Sequence, residues 1–140
     1  MGEQYGYQNF AALFEGTSIV IPTYNRVDLL RRCIDGITAH TDTPYEIIVV
    51  DDASTDGTRA YLQGLRGQIR YRALDANRGF SSAVNVGMMM AKGTTIALLN
   101  NDVQVTEGWL GRLLACLHSD ESVGMVGPVT NYIGGQQQIE

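Results

Sequence analysis

Short β-branched runs alternate along this chain with amphipathic segments of helical period. The clearest run is Ile47–Val50, which has no polar alternation and therefore predicts a strand buried on both faces. Thr17–Thr23 predicts the first strand, with Pro22 at its end because proline has no N–H for a ladder. Gln68–Ala73 predicts a third strand, Thr94–Leu99 a fourth buried one, and Val123–Val126 a fifth.

Four helices fill the intervals. Leu29, Leu30, Cys33, Ile34 and Ile37 recur at helical spacing after a capping-box-like start at Asn25 and Asp28, and that helix ends near His40. Thr58–Leu65 predicts a short helix closed by Gly64 and Gly67, with Asp56 capping its first N–H groups. The third helix runs from Phe80 to Lys92-Gly93, with Phe80, Ala83, Val84, Gly87, Met88, Met90 and Ala91 as its inner stripe and the methionines filling core. The fourth, from about Glu107 to Leu117, turns Trp109, Leu110, Leu113, Leu114 and Leu117 to one side, with Trp109 as a core anchor. Such an order predicts an α/β fold, a Rossmann-like, mostly parallel sheet with right-handed crossovers and helices on both faces.

The length of 140 residues predicts one domain over 17–130, an arm or linker over 1–16 and a polar tail over 131–140. Charge changes the picture more than size does. A net charge of −5 leaves no basic footprint for nucleic acid, so any anionic ligand must be held by a metal, a few arginines or helix N-termini. No apolar run is long enough to cross a membrane, and the first residues lack the basic-then-apolar order of a signal peptide. Cys33 and Cys116 fall on apolar helix positions and predict buried free thiols, which fits a reducing, cytoplasmic setting, at the inner face of the membrane in a longer parent.

Polar clusters follow the strands. Pro22-Thr23-Tyr24-Asn25-Arg26 follows the first, Asp51-Asp52 the second, Asn77-Arg78-Gly79 the third and Asn100-Asn101-Asp102 the fourth. In a parallel sheet these ends share one rim, where ligands of open α/β sheets bind. Other sites fit less well. There is no GxGxxG after the first strand and no GxSxG elbow, and His40 and His118 read as surface histidines. Asp52-x-Ser54-x-Asp56-Gly57 mimics the start of a calcium loop, but its twelfth position is Gln63. A phosphoacceptor receiver would want Asp after the third strand and Lys after the fifth; Ala73-Leu74-Asp75 and Gly127-Pro128 stand there.

VIPTYNR, VVDDASTDGT, NRGFSSAVNVG and LLNNDV, in this order and spacing, resemble the nucleotide-binding half of the inverting family 2 glycosyltransferases, which have the GT-A fold. The resemblance covers about residues 17–130. It implies that Pro22 and Tyr24 hold base and ribose, that Asp52 hydrogen-bonds the base, and that Asp51 shapes the loop beside it. It places Arg78, Gly79 and Asn85 along the ribose and diphosphate, and Arg26 within reach of phosphate. Asn100-Asn101-Asp102 takes the place of the family's DXD motif, with Asp102 on a divalent metal, Mg²⁺ or Mn²⁺, and the two asparagines touching ribose and metal-bound water. Oxygen ligands suit such a metal, which neutralises the leaving diphosphate.

Two departures matter. The motif begins with Asn, so the metal site carries less charge. An inverting transfer also needs a general base, and in the family it comes from the second half of the domain, beyond residue 140. The expectation is a donor-binding part of a transferase acting on a saccharide or other hydroxyl acceptor, akin in its LNND motif to some rhamnosyltransferases of surface polysaccharides. The alternative is a nucleotide-sugar-binding module without turnover. Self-association through an apolar face near Ile133 is a further expectation.

Overall fold

The computed structural model of the protein describes residues 14–129. Its elements are β1 (Phe14–Thr23), α1 (Val27–His40), β2 (Tyr45–Asp51), α2 (Thr58–Gly64), β3 (Arg70–Ala73), α3 (Phe80–Met90), β4 (Gly93–Leu98) and α4 (Trp109–Leu117). The strands form one sheet in the order β3-β2-β1-β4, and every pairing is parallel. β1 therefore lies inside the sheet and begins at Phe14, three residues before the expected start.

Ile19, Ile21, Ile47 and Val49 point to one face, where Leu30, Cys33, Ile34 and Ile37 of α1, Leu62 of α2 and Leu110 of α4 close over them. α3 packs across β1 and β2 on the opposite face, through Ala83, Val84 and Gly87. A methyl group at Gly87 would overlap Val20 Cγ1, so glycine sets how closely α3 lies on the sheet. Helices on both faces explain why the central strands are uninterrupted apolar runs.

A polar clamp fixes the far end of α3. Ser18 Oγ donates to Glu46 Oε1 at 2.6 Å, and Lys92 N–H donates to the same carboxylate oxygen at 2.9 Å. Arg70 Nη1 lies 2.8 Å from Glu46 Oε2 and 2.7 Å from the Met90 carbonyl. Burial alone would raise the Glu46 pKa, but the bonds from Ser18, Arg70 and Lys92 together outweigh it and hold the carboxyl below its ordinary value.

Several expectations are corrected. Val123–Val126 forms no strand; glycines at 124 and 127 interrupt it, and Met125 is 88% exposed. Among the described residues β4 is an edge strand, not a doubly buried one, because α3 does not extend over it; Ile96 and Leu98 are exposed on α3's side of the sheet. Phe80, Met88 and Met89 are likewise exposed, so the inner stripe of α3 is narrower than its apolar sequence. Cys116 is exposed, since Leu110, Leu113, Leu114 and Leu117 turn a different side of α4 inward, whereas Cys33 is buried. Trp109 packs on the core and donates from Nε1 to Thr41 Oγ1 at 3.0 Å. Ile133 lies outside the described residues. Among the described residues no helix is long and apolar enough to cross a membrane.

Candidate functional site

The carboxyl ends of β1, β2 and β4 open onto a cavity of about 450 Å³. Pro22, Thr23, Tyr24 and Arg26 line it from β1, and Asp52 from β2. Asn77, Gly79, Phe80 and Ala83 line it from the entry to α3, and Asn100, Asn101 and Asp102 from β4. The parallel order brings together residues as distant in sequence as Pro22 and Asp102.

The β1 end is held in a strained shape. Asn25 and Arg26 have φ of 58° and 60°, the left-handed region that non-glycine residues seldom occupy. The strain is offset by bonds to the next loop. Asn25 N–H donates to Ser54 Oγ at 2.7 Å, and Asn25 Oδ1 accepts from Thr55 N–H at 2.8 Å and Asp56 N–H at 3.3 Å. Asn25 is thus not the cap expected of it. The first N–H of α1, on Val27, goes to Asp56 Oδ2 at 3.1 Å, while Asp56 Oδ1 accepts from Thr58 N–H, the first of α2. Desolvation opposes ionisation of Asp56, but the bonds from Thr58 and from the Val27 and Arg26 backbone together outweigh it and hold its pKa below the usual carboxylate value.

The two adjacent aspartates part company. Asp51 is fully buried and does not line the cavity; Oδ1 accepts from Ser54 N–H at 2.9 Å, and Arg59 Nε stands 3.6 Å from Oδ2. It ties the turn after β2 through Ser54, and its side chain lies outside the cavity lining. Asp52 does line the cavity at 4% exposure, and both its oxygens are engaged. Oδ1 accepts from Arg78 N–H and Oδ2 from Gly79 N–H, each at 2.8 Å. Gly79, with φ 84° and ψ 168°, adopts a backbone geometry nearly exclusive to glycine.

At the β4 end, Asn101 Nδ2 donates to Thr23 Oγ1 at 2.8 Å and to the Asn25 carbonyl at 3.4 Å. Cys33 Sγ lies 3.7 Å from the Asn100 carbonyl beneath this turn; burial, and then the charge of Asp102, push its thiol up to about 11. The Asp102 carboxylate is exposed and makes no hydrogen bond or ion pair among the described residues. No group of three or more His, Cys, Asp or Glu stands together there or elsewhere among the described residues. One open carboxylate beside Asn100 suits a hard divalent cation that shares its shell with water and ligand phosphates, not one caged by protein alone.

Pro22, Tyr24, Arg26, Asp52, Gly79, Asn100, Asn101 and Asp102 are therefore brought together as expected from the sequence. The side chains of Arg78 and Asn85 are not; Arg78 contributes its backbone N–H, and Asn85 is exposed on α3 outside the cavity lining. Thr23, Asn77, Phe80 and Ala83 were not assigned to the site. Thr23 and Asn77 sit inside polar clusters that marked it, whereas the helical spacing of Phe80 and Ala83 pointed to core.

The parallel sheet covered by helices on both sides, with a polar cavity at its strand ends, is the GT-A fold of the solved glycosyltransferases it matches. The mannosyltransferase PcManGT of Pyrobaculum calidifontis, solved with GDP-Man and Mn²⁺, matches 81% of this chain and 36% of its own at a TM-score of 0.69 and 25% identity. TarS 1–349 of S. aureus, solved in complex with UDP, matches 74% of this chain and 32% of its own at a TM-score of 0.65 and 25% identity. In sequence, the succinoglycan biosynthesis protein ExoO of Rhizobium meliloti (strain 1021) is 36% identical over 98 residues, 69% of this chain and 28% of that protein. Glycosyltransferase AglE of Haloferax volcanii is 29% identical over 115 residues, 79% of this chain and 38% of that protein. The profile described as Glycosyl transferase family 2 matches residues 18–140, and the chain belongs to that family. It spans about a third of the length of these relatives.

Proposed function

We propose that this chain binds a nucleotide-diphospho-sugar with a divalent metal, and that in a longer parent it serves inverting transfer of a hexosyl or deoxyhexosyl group to an acceptor hydroxyl in polysaccharide synthesis. The observation that carries the reading is the convergence of Tyr24, Asp52 and the open Asp102 carboxylate on one strand-end cavity. The complexes of TarS with UDP and of PcManGT with GDP-Man and Mn²⁺ support it.

Asp102, with Asn100 beside it, would hold Mg²⁺ or Mn²⁺, which supplies charge neutralisation for the leaving diphosphate. Arg26 adds positive charge at the β1 rim. Neither cavity carboxylate is assigned as general base: Asp52 is tied to two backbone N–H groups, and Asp102 is the metal ligand. The base is assigned to the part of its relatives' length that this chain does not span. That division also supports a second reading, donor binding without turnover by this chain alone.

Calorimetric titration with UDP, dTDP and GDP, each with and without Mn²⁺, tests the first reading. Metal-dependent binding of at least one is expected, lost in Asp102→Ala with the melting temperature unchanged because the side chain is exposed. Failure of the folded wild-type chain to bind any of them would sink it.

A further inference from the structure

Half of the chain's ten lysines and arginines fall between residues 57 and 79, as Arg59, Arg66, Arg70, Arg72 and Arg78, with Asp75 the only acid among them. That stretch, which is α2, β3 and the loops around them, carries +4, and the remainder of the chain −9. The net charge of −5 therefore hides a basic edge on an otherwise acidic molecule.

Topology gathers these charges. β3 forms one edge of the sheet, beyond β2, among the described residues. Tyr71 packs on the core beside α1 and α2, so strand alternation turns Arg70 and Arg72 to α3's side. Arg66 precedes the strand and Arg78 follows it. Two of the five are engaged within the fold: Arg59 donates to the Leu74 carbonyl at 3.1 Å, and Arg70 to Glu46 and the Met90 carbonyl. Arg66, Arg72 and Arg78 are exposed, and their guanidinium groups make no hydrogen bond or ion pair among the described residues.

Charged side chains on an edge strand commonly do no more than keep other strands off it. Two observations go further here. Arg66 and Arg78 lie outside β3, where no ladder needs guarding, and an apolar pair stands on the neighbouring element. The bond from Arg70 to the Met90 carbonyl, 2.7 Å, ties the last turn of α3 to β3. In that turn Met88 is 48% exposed and Met89 68%. Flexible apolar side chains left in water beside a basic edge suit a boundary that is anionic outside and hydrocarbon beneath.

We infer that the β3 edge, with the last turn of α3, is a docking surface for an anionic lipid bilayer. The free arginines meet headgroup phosphates, and Met88 and Met89 enter the acyl boundary. A plane touches only the edge turned toward it. A long polyanion such as RNA would run on over the acidic remainder and be repelled, and it offers the methionines nothing. Arg66 and Arg72 line no part of the strand-end cavity, so this surface stands or falls apart from donor binding.

The test is co-sedimentation of the full chain with vesicles of phosphatidylcholine alone and of phosphatidylcholine mixed equally with phosphatidylglycerol. Binding to the mixed vesicles only, weakening as salt is raised, is expected. Arg66→Gln combined with Arg72→Gln is expected to reduce partitioning by about fivefold for each arginine removed. Met89→Ser is expected to reduce it as well. Arg32→Gln combined with Arg112→Gln removes the same charge from α1 and α4 and is expected to leave partitioning unchanged. All these side chains are exposed, so the melting temperatures should match the wild type. No binding by the wild-type chain, equal binding to phosphatidylcholine alone, or an equal loss in the α1 and α4 variant would overturn the assignment. Retention of the chain on polyuridylate without binding to vesicles would overturn it in favour of a nucleic-acid surface.

Discussion

Asn101 reaches from the turn after β4 to Thr23 at the end of β1, its side-chain amide 2.8 Å from the threonine hydroxyl. The middle residue of the Asn-Asn-Asp turn is thus a strut between two cavity walls. Asn101→Ala removes the strut and is expected to cost roughly 1–2 kcal/mol of stability. Asn101→Asp is expected to fare no better, because it sets a carboxylate oxygen against the Asn25 carbonyl. Thermal unfolding checks the first effect, and nucleotide titration shows whether the two walls still act together.

Asp52 secures the entry to α3 through two backbone N–H groups. Asp52→Ala leaves the Arg78 N–H without an acceptor and the Gly79 N–H with only its 3.2 Å bond to Asn77 Oδ1, at a cost of about 2 kcal/mol, and Asp52→Asn, keeping one oxygen, at roughly half that. Amide exchange at Arg78 and Gly79 reads the effect locally. Both should be protected in the wild type and fast in Asp52→Ala; equal exchange in the two proteins would show that the loop is held by other means.

Glu46 makes stability depend on acid pH. Its folded pKa is depressed, so its contribution is complete above the unfolded value, about 4.3, and is lost as pH falls through the lower folded value. Glu46→Gln is expected to unfold at lower urea concentration at pH 7, by roughly 1–2 kcal/mol, since one oxygen acceptor and the charge facing Arg70 are gone. The gap between wild type and variant should close below about pH 4. A gap independent of pH would refute the role given to the charge.

A single open carboxylate is a poor cage for a cation. Mn²⁺ alone should bind weakly, and a bound nucleoside diphosphate should tighten it by about tenfold or more, because phosphate oxygens complete the shell. Titrating metal with and without nucleotide measures the ratio directly. Equal affinity in both would mean that the cation is held somewhere other than beside the phosphates.

Much of this architecture was legible in the residues. Ile47–Val50 announced a doubly covered strand, and the polar clusters after successive strands announced the rim. What escaped depends on where helices end relative to strands. Periodicity reports which side of a helix is apolar, not how far the helix overhangs the sheet, so Phe80 read as core and β4 read as covered on both faces. Capping escaped for a similar reason: Asn25 and Asp28 have the right local spacing, but the acceptor for α1 arrives from Asp56, remote in sequence. Adjacent identical residues were the hardest to separate. Asp51 and Asp52 differ only in which side of the strand end each one faces.

Asp56 gives one oxygen to the first N–H of α1 and the other to the first N–H of α2, so both helix starts depend on one side chain. Asn25 binds the same pair of loops from the other side. The segments 23–27 and 53–58 are therefore not interchangeable parts. A chimera that takes one of them from a relative must take the other with it, and a library aimed at reshaping the strand-end cavity should vary the two as a single block.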